Sequence, residues 1–241
     1  MSFYLRRGLK RKSYTTGGRK RPPRARRKKI FGAQKGFVRK TGYYGRYAGT
    51  KAELKFLDLA LNDAVIDAGG TITPSINLIP QGTTESQRDG RKCTIKSIGW
   101  RWTLRLPERD GVATSGESDT CRLIMYLDRQ CNGATATVTD ILETAQYQSF
   151  NNLANTSRFK TIYDKLITMN LTTMASDNGG VVSNSAVVRN GSFYKKCNVP
   201  LEFSSTTGAI TEIRSNNIGV LLISAEGTAK FDSSIRIRFT G

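Results

Sequence analysis

A chain of 241 residues, 38% hydrophobic and 9% aromatic, can bury one sizeable core and carry a tail, and is short for two large domains. Its 38 Lys and Arg stand against 19 Asp and Glu with no His, a formal charge of +19 that points to a polyanionic partner. Without an imidazole there is no Ser-His or Cys-His nucleophile pair and no His-containing zinc site; no Gly-x-x-x-x-Gly-Lys-Ser/Thr phosphate loop occurs, and no apolar run nears the roughly 18 residues of a membrane helix, so no membrane insertion is expected.

The charge is unevenly placed. Residues 1–52 hold 18 of the basic residues and no acidic one, whereas 53–241 hold the other 20 together with all 19 acids. Self-repulsion and scarce apolar side chains leave the first segment nothing to offset the entropy of ordering, so 1–52 is expected to be a disordered arm beside a near-neutral domain, 53–241. The arm's cations fall into clusters: Arg6 and Arg7; Lys10, Arg11 and Lys12; Arg19, Lys20 and Arg21; then Arg24, Arg26, Arg27, Lys28 and Lys29. Lys35, Arg39, Lys40 and Arg46 follow at wider spacing. Gly, Ser, Thr and Pro between them keep the chain extended and its charge available to phosphates. Tyr43, Tyr44 and Tyr47 are interleaved with this charge, and a single-stranded base stacking on such a ring gains about 1–3 kcal/mol. The same rings would also serve as a tether docked on the folded domain. Clusters spaced in this way read as a nuclear-import signal as well, which implies host import receptors as partners.

From residue 53 the texture changes to short apolar segments bounded by Gly, Pro, Asn, Asp and Ser, the pattern of an all-β domain. Strands are predicted over 53–61 and 72–79. Ile98, Trp100, Trp102, Leu104 and Leu106 then alternate with Gly99, Arg101, Thr103 and Arg105, as a half-buried strand requires. The stretches 121–127 and 218–223 carry apolar residues on both faces and read as deeply buried strands. Segments 159–170 and 193–203 add two more, and Ile235, Ile237 and Phe239 alternate with Arg236, Arg238 and Thr240. One helix is predicted where Thr137-Val138-Thr139-Asp140 resembles a capping box, with Ile141, Leu142 and Ala145 as its apolar stripe.

At least eight strands and one short helix predict a β-sandwich of a size that suits an eight-stranded jelly roll, with barrels and immunoglobulin-like sandwiches as competitors. The four cysteines, Cys93, Cys121, Cys131 and Cys197, are far apart, form no Cys-x-x-Cys pair and read as buried free thiols. No metal or cofactor is expected. Glu108 with Asp110, and Glu117 with Asp119, lie in a Gly/Ser-rich stretch and are read as solvating a surface turn rather than as a catalytic pair. A structural or binding protein is expected, not an enzyme.

Four segments carry a resemblance to the capsid proteins of small circular Rep-encoding single-stranded DNA viruses, the circovirus-like group. They are the basic arm; Glu53-Leu54-Lys55-Phe56-Leu57-Asp58 at the opening of the domain; Ile79-Pro80-Gln81-Gly82-Thr83-Thr84 running to Arg88-Asp89-Gly90-Arg91-Lys92; and Tyr126-Leu127-Asp128-Arg129-Gln130 followed by Asn132-Gly133. Ser215-Asn216-Asn217-Ile218-Gly219-Val220 and Arg236-Ile237-Arg238-Phe239 are similar to that group's last strands. The resemblance implies a viral jelly roll, a homo-oligomer of sixty subunits in a T=1 icosahedral shell, packaging of circular single-stranded DNA, or of RNA in a heterologous host, and a virion assembled in the host nucleus. Sixty arms of 18 charges each would neutralise on the order of a thousand phosphates, the scale of a small genome. In a jelly roll the first and last strands are neighbours, so Arg101, Arg105, Arg236 and Arg238 are expected on one sheet face. There they would form an inner basic patch for the genome or pair with carboxylates of a neighbouring subunit. The alternative function is a cellular nucleic-acid-binding protein, ribosomal or chromatin-associated, with a basic extension. Such a protein would be expected to spread its basic residues over the folded surface, which the near-neutral 53–241 does not do.

Overall fold

The computed structural model describes residues 53–106, 118–170 and 187–241. Along the chain run β1 (Lys55–Val65), β2 (Thr71–Ile72), β3 (Lys92–Leu106), β4 (Ser118–Asp128), α1 (Val138–Ile141), β5 (Phe159–Asn170), β6 (Val187–Phe203), β7 (Ile213–Ser215), β8 (Asn217–Ser224) and β9 (Lys230–Thr240). They form one sheet of order β1-β9-β3-β6-β7 and a second of order β2-β8-β4-β5, with antiparallel pairing between every neighbouring strand. The three-residue β7 only extends an edge. The other eight interleave early and late segments of the chain in both sheets, which is the jelly-roll arrangement.

The sandwich closes where alternation turns apolar side chains inward. In β3 the buried set is Cys93 and Ile95, then Ile98, Trp100, Trp102, Leu104 and Leu106. The step from Ile95 to Ile98 is three residues, so a plain strand would turn one of the two groups outward. A bulge resolves this: between Ile95 and Ser97 the register against β9 shifts, with Lys96 as the extra residue. The register against β6 shifts at the same place, and there Lys96 Nζ donates to Asn198 Oδ1 at 2.8 Å. Trp100 lies edge-on to Tyr163 and Phe231, at 5.3 and 6.3 Å between ring centroids. Opposite Trp102 the chain places Gly191, where a Cβ would come within 2.0 Å of the indole. Only a residue without a side chain admits that ring.

The strands apolar on both faces have a core on both faces. Behind the second sheet, Ile124, Tyr126 and Leu221 pack with Ala136, Ile141, Leu142 and Phe159. The helix is there but brief. Asp140 Oδ2 accepts from the Thr137 N–H at 2.7 Å, as the capping box requires, yet the chain leaves the helix at the extended Leu142, which bridges to Asn151. Ala145 is therefore exposed and is not part of an apolar stripe.

The predicted strand over 72–79 is paired as strand only at Thr71–Ile72. Pro74 has no N–H to give, and on either side of it single bonds follow β8: Thr73 and Ile76 donate to the Val220 and Ile218 carbonyls, each at 2.9 Å. The Asn77 side chain takes over, accepting from Ile218 N–H at 2.9 Å. The loop before β3 is pinned by Arg88, fully buried and, among the described residues, with no carboxylate within ion-pair distance. Its Nε donates to Ile79 O at 2.9 Å, its two terminal nitrogens donate to the carbonyls of Gly90 and Ser205, and its guanidinium lies 4.2 Å above the Phe203 ring. All four cysteines are free thiols, and burial pushes Cys93 and Cys121 up to about 11 and about 12, which leaves them protonated and unreactive near neutrality.

Candidate nucleic-acid interface

The arm cations from Arg6 to Arg46, and the rings of Tyr43, Tyr44 and Tyr47, lie outside the described residues. The four arginines expected on one sheet face, Arg101, Arg105, Arg236 and Arg238, do share it. β9 lies between β1 and β3, and on the side away from the core it presents Lys230, Asp232, Ser234, Arg236 and Arg238. β3 adds Arg101 and Arg105, since Arg101 is opposite Ser234 and Arg105 opposite Lys230.

Two of the four are neutralised within the chain, an outcome that neither a four-arginine patch nor pairing across subunits anticipated. Arg236, opposite Asp58 on β1, grips that carboxylate with Nε at 2.6 Å and Nη2 at 2.5 Å while its guanidinium stands 5.1 Å from the Phe56 ring. This fork-to-carboxylate bond holds the Asp58 carboxyl below its ordinary value and raises the guanidinium's. Arg105 reaches Asp63 at 3.2 Å and Asp232 at 2.8 Å, and Lys230 completes the cluster at 2.9 Å from Asp63. The hydrogen bond from Lys230 is the main cause that lowers the Asp63 carboxyl. The backbone there is left-handed, with Asp63 at φ 51°, and its N–H donates to Asp232 Oδ1 at 2.8 Å. Among the described residues Arg101 and Arg238 have no carboxylate within ion-pair distance, and both are exposed.

Between these two lies a groove of about 430 Å³ lined by Ser97, Gly99, Arg101, Ser192, Tyr194, Ser234, Arg236 and Arg238, with no acidic residue. Tyr194, 59% exposed, and Lys196, opposite Ser97, belong to this face and were not singled out from sequence. The signal was present, because Ser192, Tyr194 and Lys196 alternate with the inward Phe193. What it lacked was the pairing partner that tells which face they join.

The carboxylates read as turn solvation divide. Glu108, Asp110 and Glu117 lie outside the described residues. Asp119 is corrected: it is buried at 1% exposure in β4, not solvated at a surface turn. Its oxygens accept from the Ser224 hydroxyl at 2.7 Å, the Thr228 hydroxyl at 3.2 Å, and the N–H groups of Ala225, Glu226 and Ala229 at 3.1–3.2 Å, so it anchors the β8–β9 turn. Among the described residues no group of three or more Cys, Asp or Glu is placed to hold a metal ion, and no helix is long and apolar enough to cross a membrane.

The model of the satellite tobacco necrosis virus coat protein family matches residues 43–241. A coat protein of Maize white line mosaic satellite virus is 28% identical over 120 residues, which are 49% of this chain and 53% of that protein, so the chain spans about half the length of this curated relative. Among solved structures, a chain of Desmodium yellow mottle tymovirus aligns over 79% of this chain and 88% of its own at 11% identity and a TM-score of 0.29, too low to carry an argument.

Proposed function

Given that the chain belongs to the satellite tobacco necrosis virus coat protein family, we propose that it is the repeating subunit of an icosahedral shell, sixty copies with T=1 symmetry, that encloses a single-stranded genome held by residues 1–52. The expected likeness to circovirus-like capsids is met at the level of a viral coat protein, while the family matched is a different one. Membership of a coat protein family takes the place of the cellular nucleic-acid-binding alternative. The observation that carries the packaging reading is the split of charge: +18 on residues 1–52 and +1 on 53–241, a polycation joined to a body neutral enough to pack against its own copies.

Circular single-stranded DNA is the genome implied by the sequence resemblance, and phosphate neutralisation with base stacking suits it. The role is structural rather than catalytic. The arm's clusters double as a nuclear-import signal, which a fluorescent reporter fused to residues 1–52 would reveal by its accumulation in nuclei.

Electron microscopy of the purified full-length protein, with nuclease digestion before and after the particles are opened, tests the whole reading. Uniform closed shells whose content resists nuclease until opened and then yields to DNase support it. Content that yields to RNase alone replaces DNA with RNA and keeps the coat function. Monomers with nuclease-sensitive nucleic acid overturn the shell.

A further inference from the structure

The groove on the β1-β9-β3-β6 face has the parts of a nucleotide site. Three rungs define it. At its centre Gly99 is opposite Tyr194 on one side and Arg236 on the other. A Cβ there would meet the Tyr194 ring at 3.8 Å and the Arg236 carbonyl oxygen at 3.9 Å, ordinary contact distances, so the absent side chain leaves a shallow floor beside an exposed tyrosine. One rung along, Arg101 is opposite Ser192 and Ser234; on the other side, Ser97 is opposite Lys196 and Arg238. Adjacent rungs on one face are two residues, or about 6.6 Å, apart. Cations thus stand on both sides of an aromatic ring, hydroxyls lie between them, and no carboxylate lines the floor. Arg236 is already held by Asp58 and stiffens the wall, leaving Arg101, Arg238 and Lys196 to meet phosphates.

We propose that this groove binds a segment of single-stranded nucleic acid, one base stacked on Tyr194 over Gly99 and the flanking phosphates held by Arg101 on one side and by Arg238 and Lys196 on the other. The site rests on the packaging reading above and deepens it: beyond the polyelectrolyte grip of residues 1–52, each subunit reads the strand through one stacked base. A base face is common to all four nucleotides, so the site takes a strand without selecting sequence. A ring clamped between cations tolerates Phe and not Ser, because the stack needs the π face and not the hydroxyl.

The test uses the full-length protein, stripped of nucleic acid in high salt, and an oligothymidylate carrying 5-bromodeoxyuridine. Photocrosslinks mapped by mass spectrometry are expected in the peptide that holds Tyr194 as well as in the arm. Tyr194→Ser is expected to lose the former and to weaken binding about tenfold, Tyr194→Phe to keep both, and the double variant Arg101→Gln, Arg238→Gln to make the log-log salt slope shallower by about 1.4. Tyr194, Arg101 and Arg238 are all exposed, so all three variants should unfold at the wild-type denaturant midpoint. Wild-type crosslinks confined to the arm, or equal affinity in the Ser variant, overturn the subsite while the packaging reading stands. A wild-type protein that binds no oligothymidylate even in low salt overturns both.

Discussion

At the scale of single residues the domain relies on ionic groups placed where apolar ones could not serve. Arg88 joins three separate backbone carbonyls, of Ile79, Gly90 and Ser205, in a place water does not reach. Arg88→Met would strand those acceptors, and the urea midpoint should fall by the equivalent of about 3 kcal/mol. Arg88→Lys should recover little, since one ammonium cannot span the fork of a guanidinium. Recovery to the wild-type midpoint would show that charge alone, not geometry, is needed. The exposed pairs behave differently. Asp58 and Asp63 have carboxyls lowered in the folded state, so the stability they add is present above the unfolded carboxylate value, about 3.9, and is lost as pH falls through their folded values. The melting temperature should be flat from neutrality to mild acid and then drop, and Asp58→Asn should make that drop shallower. An unchanged acid limb in the variant would mean the pair is screened to nothing.

Elements here are shaped by which face each residue must turn to. The bulge at Lys96 allows Cys93 and Ile95 to share a core with Ile98 and Trp100. Deleting Lys96 would leave Ile95, Ser97 and Ile98 in plain alternation with a continuous register against β9, so the cost falls on β6, where Cys197 and Asn198 would have no residue opposite them, and the unfolding midpoint should fall further than in Lys96→Ala while unfolding stays cooperative. Lys96→Ala keeps the extra residue and gives up only the bond to Asn198, a cost of about 1 kcal/mol or less by chemical denaturation. A deletion variant as stable as Lys96→Ala would refute this account. Much of this was legible in advance: 159–170 was read with the bounds it has as β5, and the alternation in β3 and β9 named their buried sides. The spacing of three between Ile95 and Ile98 stood in plain view too, but a bulge shows itself only against its partners. Segment 72–79 was overread because apolar content does not reveal that Pro74 breaks the ladder.

For the whole molecule, the separation of charge from fold sets the expectation. Removing residues 1–40 should leave a domain that unfolds at the wild-type midpoint, because that segment is rich in Lys and Arg, has no acidic residue and has few apolar side chains to add to a core, while packaged nucleic acid falls to background. Loss of folding on that truncation would break the division into arm and shell. Packaging should weaken steeply with salt, the arm alone contributing a log-log slope no steeper than about −13 if all its charges engage. Any single pair of arm cations neutralised should have only a slight effect, since number rather than position sets the release of counterions.

Residue types and their spacing alone determined that this chain is a β-sandwich that carries a basic segment whose charge suits a polyanion. Charge sums and a two-residue period are local quantities, readable without knowing which strand meets which. The surviving cations of the sheet were another matter. Arg101, Arg105, Arg236 and Arg238 look equivalent along the chain, and only the pairing of β1, β9, β3 and β6 shows that Asp58 neutralises one, that Asp63 and Asp232 neutralise another, and that the remaining two stand one rung to either side of Tyr194. These ion pairs join residues from 42 to 178 positions apart, and the register that brings them together is a property of the closed sheet.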